Sequence, residues 1–218
     1  MGDLNRLPQL LRKGAEADIL LDQLDADRVV VKRRIRKAYR HETLDRRIRL
    51  QRTQHEAGLL RQAKQAGVST PLILFVDRGS HEITMQHVEG TRLKDYLDSA
   101  TRNKRASVCR NLGKAVGQLH KNNIIHGDLT TSNIILTRNG KLVFLDFGLG
   151  QHSILIEDRG VDLSLLYRAL TSYHHTHALE CFKNVLQGYE ATVDSKTFES
   201  IKAKIVEIKR RGRYIAER

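Results

Sequence analysis

Short runs of apolar, β-favouring residues separated by polar turns dominate the first third of the chain. They predict two pairs of strands, at Ala17–Leu21, Val29–Lys32, Leu72–Asp77 and Glu82–Val88. Between the two pairs, the pattern predicts one long helix from about Asp45 to Ala66, which ends at Gly67. This part of the chain therefore predicts a small β-rich unit that carries a single helix.

In the rest of the chain the apolar positions recur mainly at helical spacing. A helix is predicted over Arg105–Lys121, and a strand–turn–strand hairpin follows over Ile134–Leu145. The remaining residues are predicted to be helical and to end in a basic tail. The sequence therefore predicts an α+β fold of two lobes, with an N-lobe at residues 1–85, a hinge at 86–90 and a reduced, mostly helical C-lobe at 91–218. A cleft between two such lobes is a natural place for a nucleotide.

The chain of 218 residues is strongly basic, with 38 Lys and Arg residues, 25 Asp and Glu residues and a formal net charge of +13. Such a surplus attracts polyanions such as nucleic acids, nucleotides or acidic proteins, although a solvated helix face gives the same composition. The two cysteines, Cys109 and Cys181, form neither a disulfide framework nor a metal-ligand spacing, so a reducing, cytoplasmic setting is expected. The apolar runs are too short to span a bilayer and no secretion signal is evident, so no membrane partner is expected.

The segment His126–Asn133, with the sequence HGDLTTSN, carries the most specific signal in the chain. Together with Asp146-Phe147-Gly148 it resembles the catalytic loop and the DFG motif of protein kinases. Asp128 and Asn133 are five residues apart, and Asn133 and Asp146 are thirteen apart, as in that pattern. The resemblance implies a bilobal protein-kinase-like fold that binds ATP.

Phosphoryl transfer needs mainly positioning of the reactants and neutralisation of charge on the triphosphate. Magnesium prefers hard oxygen ligands, so Asp146 is predicted as a direct Mg²⁺ ligand and Asn133 as a second one. Asp128 is predicted as the catalytic residue, which orients the acceptor hydroxyl and takes its proton. The hairpin is expected to bring Asn133 and Asp146 side by side. The alternative is that Asp128 and Asn133 only cap a turn.

Lys32 follows the apolar run Val29–Val31, as the lysine of the VAIK motif follows its strand, and is predicted to contact the α- and β-phosphates of ATP. Glu56 lies in the predicted helix and is expected to orient Lys32 by ion pairing. Charge alone does not select Lys32. Its basic neighbours are Arg33, Arg34, Arg36 and Lys37. The acids that compete with Glu56, namely Glu42 and Asp45, lie too early in the helix.

Several further positions fit the kinase pattern less closely. The predicted ATP-binding positions of a degenerate phosphate-covering loop are Gly14, Ala15, Glu16, Ala17 and Ile19. Glu16 is expected to place a negative charge near the phosphates. Gln86 and Val88 fall where kinases bind adenine with backbone groups of the hinge. The predicted structural residues are His126, Phe147, Gly148 and Asp162, of which Asp162 is expected to brace the catalytic loop.

Segments throughout the chain resemble one family, the PRPK/Bud-thirty-two family, which is the small atypical serine/threonine kinase/ATPase subunit of the KEOPS (EKC) tRNA-modification complex. These segments are Gly14–Ala17, Val31–Arg33, Tyr39–His41, Leu44-Asp45, Arg52–Ala57, His126–Asn133 and Ile156–Leu163. The resemblance implies ATP hydrolysis and weak autophosphorylation in support of threonylcarbamoyladenosine formation in tRNA. The implied partners are the threonylcarbamoyl transferase (Kae-one/TsaD-like) subunit, a Cgi-type subunit and, through the complex, tRNA. Since the chain begins at Met1 without a transferase domain, we expect the free-standing rather than the fused form.

Asp146 and Asp162 are only 16 residues apart and no APE motif lies between them, so a general protein-substrate kinase fits poorly. The basic tail is expected to reach the active site or tRNA phosphates, unless it is a solvated helix face. Its residues are Lys209, Arg210, Arg211 and Arg213. The alternative functions are a RIO-like kinase, a small-molecule kinase or an ATP-binding pseudokinase scaffold.

Overall fold

The computed structural model describes residues 8–216, with side chains described for residues 8–211. The chain divides into two compact units. The first consists of the residues up to Arg61 together with Pro71–Val88, and the second consists of Gln62–Thr70 together with the residues from Glu89 onward.

The first unit is an antiparallel sheet with one helix. Its strands are β1 (Gln9–Lys13), β2 (Ala17–Leu24), β3 (Asp27–Arg34), β4 (Ile73–Asp77) and β5 (Glu82–Gln86). They lie in the order β1-β2-β3-β5-β4, so that β3 is the central strand. The helix α1 (Glu42–Gln65) connects β3 to β4.

One face of the sheet packs against α1. Val30 of β3 packs with Ile83 and Met85 of β5 against Ala57 of the helix. Because side chains alternate along a strand, every second residue of β3 after Val30 also points to the face that α1 covers. This alternation decides which charged residues of β3 reach the helix.

The second unit is mostly helical. Its helices are α2 (Leu93–Tyr96), α3 (Arg102–Lys121), α4 (Ile156–Tyr173), α5 (Ala178–Glu190) and α6 (Ser195–Ala216). Its short strands are β6 (Thr91–Arg92), β7 (Ile124–Ile125), β8 (Ile134–Leu136), β9 (Leu142–Phe144) and β10 (Gln151–His152). They form a three-stranded sheet in the order β6-β8-β9 and a separate antiparallel pair of β7 with β10.

Two glycines allow α3 and α5 to pack with their backbones in close contact. A Cβ atom on Gly113 would lie 1.9 Å from the carbonyl oxygen of Val185, and a Cβ atom on Gly188 would lie 1.9 Å from that of Arg110. No larger residue fits at either position without separating the helices.

Two parts of the first unit differ from the sequence-based expectation. The strand β1 was not predicted, because all five of its residues are exposed and show no apolar alternation. It forms by antiparallel pairing with β2. The helix α1 begins at Glu42, before the predicted start at Asp45, which lies in the first turn and accepts a hydrogen bond from the backbone N–H of Lys37 at 3.2 Å.

Across residues 8–216, none of the helices combines the length and the apolar character that a membrane crossing requires.

Candidate active site

Glu56 of α1 holds two cations that project from β3. Lys32 and Arg34 are two positions apart on the strand, so both point to the face that α1 covers. Nζ of Lys32 lies 2.6 Å from Oε1 of Glu56, and Nη2 of Arg34 lies 2.7 Å from Oε2. The exposed fractions of the three side chains are 9%, 1% and 5% for Lys32, Glu56 and Arg34, so the cluster is buried.

The predicted ion pair of Lys32 with Glu56 is present, but the sequence reasoning missed Arg34 as the second partner. The signal was available, because alternation along a strand separates Arg34 from its neighbour Arg33. Arg33 is exposed and pairs with Glu82 instead. The competing acid Asp45 is buried and pairs with Arg49 at 2.7 Å.

The loop between β1 and β2 is a tight turn that requires a glycine. The N–H of Gly14 donates to the carbonyl oxygen of Ala17 at 3.1 Å, and a Cβ atom on Gly14 would lie 2.5 Å from that oxygen. The carbonyl oxygen of Ala15 accepts a hydrogen bond from Nζ of Lys37. Ile19 lies in β2, in register with Lys32 of β3. The loop therefore leads into a strand that pairs with β3, the strand that carries the buried cluster.

Glu16 of this loop is neutralised by two arginines. Its Oε2 accepts a hydrogen bond from Arg52 of α1 and lies 3.9 Å from Nη1 of Arg34. The hydrogen bond from Arg52, together with the charges of Arg34 and Arg40, lowers the pKa of Glu16 below its ordinary value despite partial burial. The negative charge expected near the phosphates is thus matched by positive charge.

The predicted adenine-binding residues Gln86 and Val88 lie at the end of the last segment of the first unit. Gln86 ends β5, and its backbone N–H donates to the carbonyl oxygen of Leu72 at 2.8 Å. The N–H of His87 donates to the carbonyl oxygen of Arg28 at 3.3 Å, and Val88 is half-buried. Adenine binding by Gln86 and Val88 stays a prediction.

In the second unit, Asn133 fixes the position of Asp128. The turn Thr131–Asn133 is a single 3-10 turn, and it brings the amide nitrogen of Asn133 within 3.0 Å of the carbonyl oxygen of Asp128 and 2.9 Å of its carboxylate Oδ2. Asn133 is buried, whereas Asp128 is half-buried. The amide nitrogen is thereby used within the loop, which leaves the amide oxygen as the group that can meet a cation.

Asp146 stands at the other end of the hairpin formed by β8 and β9. The backbone N–H of Leu145 donates to the carbonyl oxygen of Asn133 at 2.8 Å, which joins the two ends of the hairpin. Asp146 is exposed, has a φ of 54° and accepts a hydrogen bond from the N–H of Gly148 at 3.2 Å. Its carboxylate and the amide oxygen of Asn133 are the hard oxygen donors that a divalent cation of the magnesium type prefers. Among the described residues, no group of three or more His, Cys, Asp or Glu side chains forms a metal cluster.

Asp162 of α4 holds the start of the loop that carries Asp128. It is fully buried, and its carboxylate accepts hydrogen bonds from the backbone N–H groups of His126 at 2.8 Å and Gly127 at 2.9 Å. The imidazole Nε2 of His120 lies 3.2 Å from the same carboxylate. Burial alone would raise the pKa of Asp162, but the hydrogen bond with His120 and the neighbouring charges and backbone donors outweigh it and lower the pKa.

His126 is a buried, neutral ring with a defined tautomer. Its Nε2 lies 3.0 Å from the carbonyl oxygen of Leu145, so Nε2–H donates, and its Nδ1 accepts from the backbone N–H of Asp128 at 3.3 Å. Burial lowers its pKa below the ordinary value of 6.5. The ring packs on that of Phe147, with centroids 4.5 Å apart. This ring therefore joins the loop of Asp128 to the segment of Asp146 without being placed to react.

The predicted basic tail belongs to the helix α6. Arg211 pairs with Glu157 of α4 at 2.9 Å and also with Glu207. Nζ of Lys209 lies 4.9 Å from the centre of the Tyr167 ring. Arg210 is exposed. The side chain of Arg213 lies outside the described residues.

Comparison with known proteins agrees with this geometry. A family model described as "Protein kinase domain" matches residues 14–177, so the class that the fold and the site define is the protein kinases. The KEOPS complex subunit Bud32 of Pyrococcus abyssi is 44% identical over 212 residues, which cover 94% of this chain and 96% of that protein. The EKC/KEOPS complex subunit bud32 of Dictyostelium discoideum is 36% identical over 216 residues, with coverages of 96% and 84%. The chain belongs to the Bud32 family.

A second kind of relative is longer. A probable bifunctional tRNA threonylcarbamoyladenosine biosynthesis protein of Methanothermobacter thermautotrophicus is 45% identical over 207 residues, or 95% of this chain. The match spans only 37% of that relative's own length.

Proposed function

We propose that the chain is an ATP-dependent phosphotransferase and ATPase, with weak serine/threonine autokinase activity. The observation that carries this proposal is the pair of hydrogen bonds, at 3.0 and 2.9 Å, by which Asn133 fixes Asp128. A carboxylate held on one oxygen keeps a constant direction, which suits a group that orients a hydroxyl or a water molecule and takes its proton.

The other residues of the site have supporting roles in this proposal. Asp146 and the amide oxygen of Asn133 hold Mg²⁺, which when bound neutralises charge on the triphosphate of ATP. Lys32 contacts the α- and β-phosphates, and Glu56 orients it through the contact at 2.6 Å. Backbone groups of the loop at Gly14 cover the phosphates.

The process that this ATPase serves is the formation of threonylcarbamoyladenosine in tRNA as a subunit of the KEOPS complex. The names of the relatives from Pyrococcus abyssi and Methanothermobacter thermautotrophicus support this assignment. The partners are then the threonylcarbamoyl transferase subunit and a Cgi-type subunit, and the net charge of +13 suits an assembly that handles tRNA. The buried free thiols Cys109 and Cys181 suit the reducing cytoplasm.

The test is phosphate release from ATP with Mg²⁺, measured for the purified chain alone and after addition of the transferase subunit and tRNA. We expect release that rises with the partner and is lost in Asp128→Ala. Asp95→Ala is a matched control, because Asp95 is an exposed acid on α2 of the same unit. Equal release by wild type and Asp128→Ala would refute the proposal. Steady transfer to casein-like proteins with no partner effect would instead favour a general protein kinase.

A further inference from the structure

Arg34 occupies a position that structural stability does not account for. Its side chain is only 5% exposed, and its Nε has no hydrogen-bond partner among the described residues. A buried donor without a partner costs free energy, and buried ion pairs are often no more stable than apolar residues of the same volume. An arginine at this site therefore calls for a reason beyond stability.

Arg34 and Lys32 divide the two oxygens of Glu56 between them. Oε1 of Glu56 meets Lys32 and Oε2 meets Arg34. A carboxylate bound at both oxygens cannot rotate, so Arg34 determines where Glu56 holds the ammonium group of Lys32. Arg34 also brings a second cation to this carboxylate, in a buried place where a charge acts strongly on its surroundings.

Arg34 also connects this cluster to the loop before β2. Its Nη1 lies 3.9 Å from Oε2 of Glu16, which Arg52 binds as well. The same guanidinium thus lies between the carboxylate that orients Lys32 and the acidic residue of the loop at Gly14. A single side chain can set the position of both.

We propose that Arg34 is a positioning residue for the binding of a nucleotide polyphosphate. Arg34 fixes Glu56, and through it Lys32, and it adds positive charge that the phosphates meet. This inference rests on the proposed function, since it assumes that the chain binds ATP. The inference is that Arg34 affects the binding of the phosphates of ATP but not the binding of its nucleoside.

The test is calorimetric titration of the full chain with Mg²⁺-ATP and, separately, with adenosine. The variants are Arg34→Met and Arg34→Lys, and the matched control is Arg33→Met. That control removes an equal charge one residue away, on the opposite face of β3. For Arg34→Met we expect ATP affinity to fall about tenfold or more while adenosine affinity changes by less than about twofold. Arg34→Lys should recover part of the loss, because it keeps the charge without the fork of donors.

Two results would overturn the inference while leaving ATP binding by the wild type intact. One is an ATP affinity in Arg34→Met equal to that of Arg33→Met. The other is an equal loss of ATP and adenosine affinity, which would show a structural role. If Arg34→Met does not fold, Arg34→Lys decides alone, because wild-type ATP affinity in that variant would contradict the need for a guanidinium. A wild type that binds no Mg²⁺-ATP would refute the proposed function itself.

Discussion

Replacing Asp162 by Asn should destabilise the second unit by removing one acceptor from a buried site that has only donors around it. The carboxylate accepts from the backbone N–H groups of His126 and Gly127 and lies 3.2 Å from Nε2 of His120. The amide nitrogen of Asn at position 162 would replace one of the two carboxylate oxygens. In either orientation of the amide, this nitrogen would face a backbone N–H group that now donates to the oxygen. At least one N–H group of the loop and one of the new amide then lose their partners.

The size of the effect follows from that count. Each buried donor without a partner costs about 1–3 kcal/mol, so the free energy of unfolding should fall by about 3 kcal/mol. For a chain of this length, such a loss lowers the melting temperature by about 6–12 °C. Urea unfolding followed by circular dichroism measures it, with Asp95→Asn as the control, because Asp95 is exposed and lies on α2. A loss in Asp162→Asn below about 0.5 kcal/mol, which is typical of surface changes, would refute the reasoning.

The same substitution has a pH signature. Because the pKa of Asp162 is lowered from 3.8 in the folded chain, its stabilising contribution is fully present above pH 3.8. It is lost as the pH falls through the lower, folded pKa. The difference in unfolding free energy between wild type and Asp162→Asn should therefore be constant near neutral pH and should shrink below pH 3.8.

Three further predictions concern packing, protonation and thiol burial. Gly113→Ala should lower the free energy of unfolding by about 3 kcal/mol in urea titrations, because its Cβ atom would meet a backbone carbonyl of α5. The control is Gly58→Ala in α1, whose Cβ atom meets nothing within 4 Å and which should stabilise the chain by about 1 kcal/mol. Equal effects of the two substitutions would contradict the packing of α3 on α5. Burial lowers the pKa of His126, so the unfolded chain binds a proton below pH 6.5 that the folded chain does not. Stability should fall from pH 7 to pH 5 less steeply in His126→Gln than in wild type, and parallel slopes would rule this out. The complete burial of Cys109 and Cys181 should block both thiols from Ellman's reagent until guanidinium unfolds the chain, and rapid labelling of the native chain would disprove this burial.

The parts of the site that lie close in sequence could be predicted from sequence alone. The turn that joins Asp128 to Asn133 is short, and the hairpin that ends at Asp146 needs only local pairing, so fixed spacing implies fixed geometry. The contact of Lys32 with Glu56 spans two elements, yet it was predictable because each residue has a distinctive place in its own element.

The parts that were missed depend on tertiary pairing. The strand β1 has no apolar face of its own and exists because β2 pairs with it. The residues of β7 and β10 are too few to show a period, and they pair across a sequence gap that includes the loop of Asp128. Arg34 was hidden among basic neighbours: alternation along β3 separates it from Arg33, but its partner Glu56 lies on another element, α1.

Glu56 and Asp162 each hold a segment of their own unit, but the partners that they bind differ in charge. Each is a buried carboxylate on a helix, and each uses both of its oxygens. Glu56 binds the cations Lys32 and Arg34, so a positive group lies at each of its oxygens.

The partners of Asp162 are instead N–H groups of the backbone and an imidazole, and they leave its negative charge largely in place. Asp128, Asp146 and Asp162 all act electrostatically on the ring of His126. Three carboxylates around one buried, neutral ring make this part of the second unit negative, which favours a cation. The surroundings of the two carboxylates thus differ in sign, because cations lie at Glu56 whereas further carboxylates lie near Asp162.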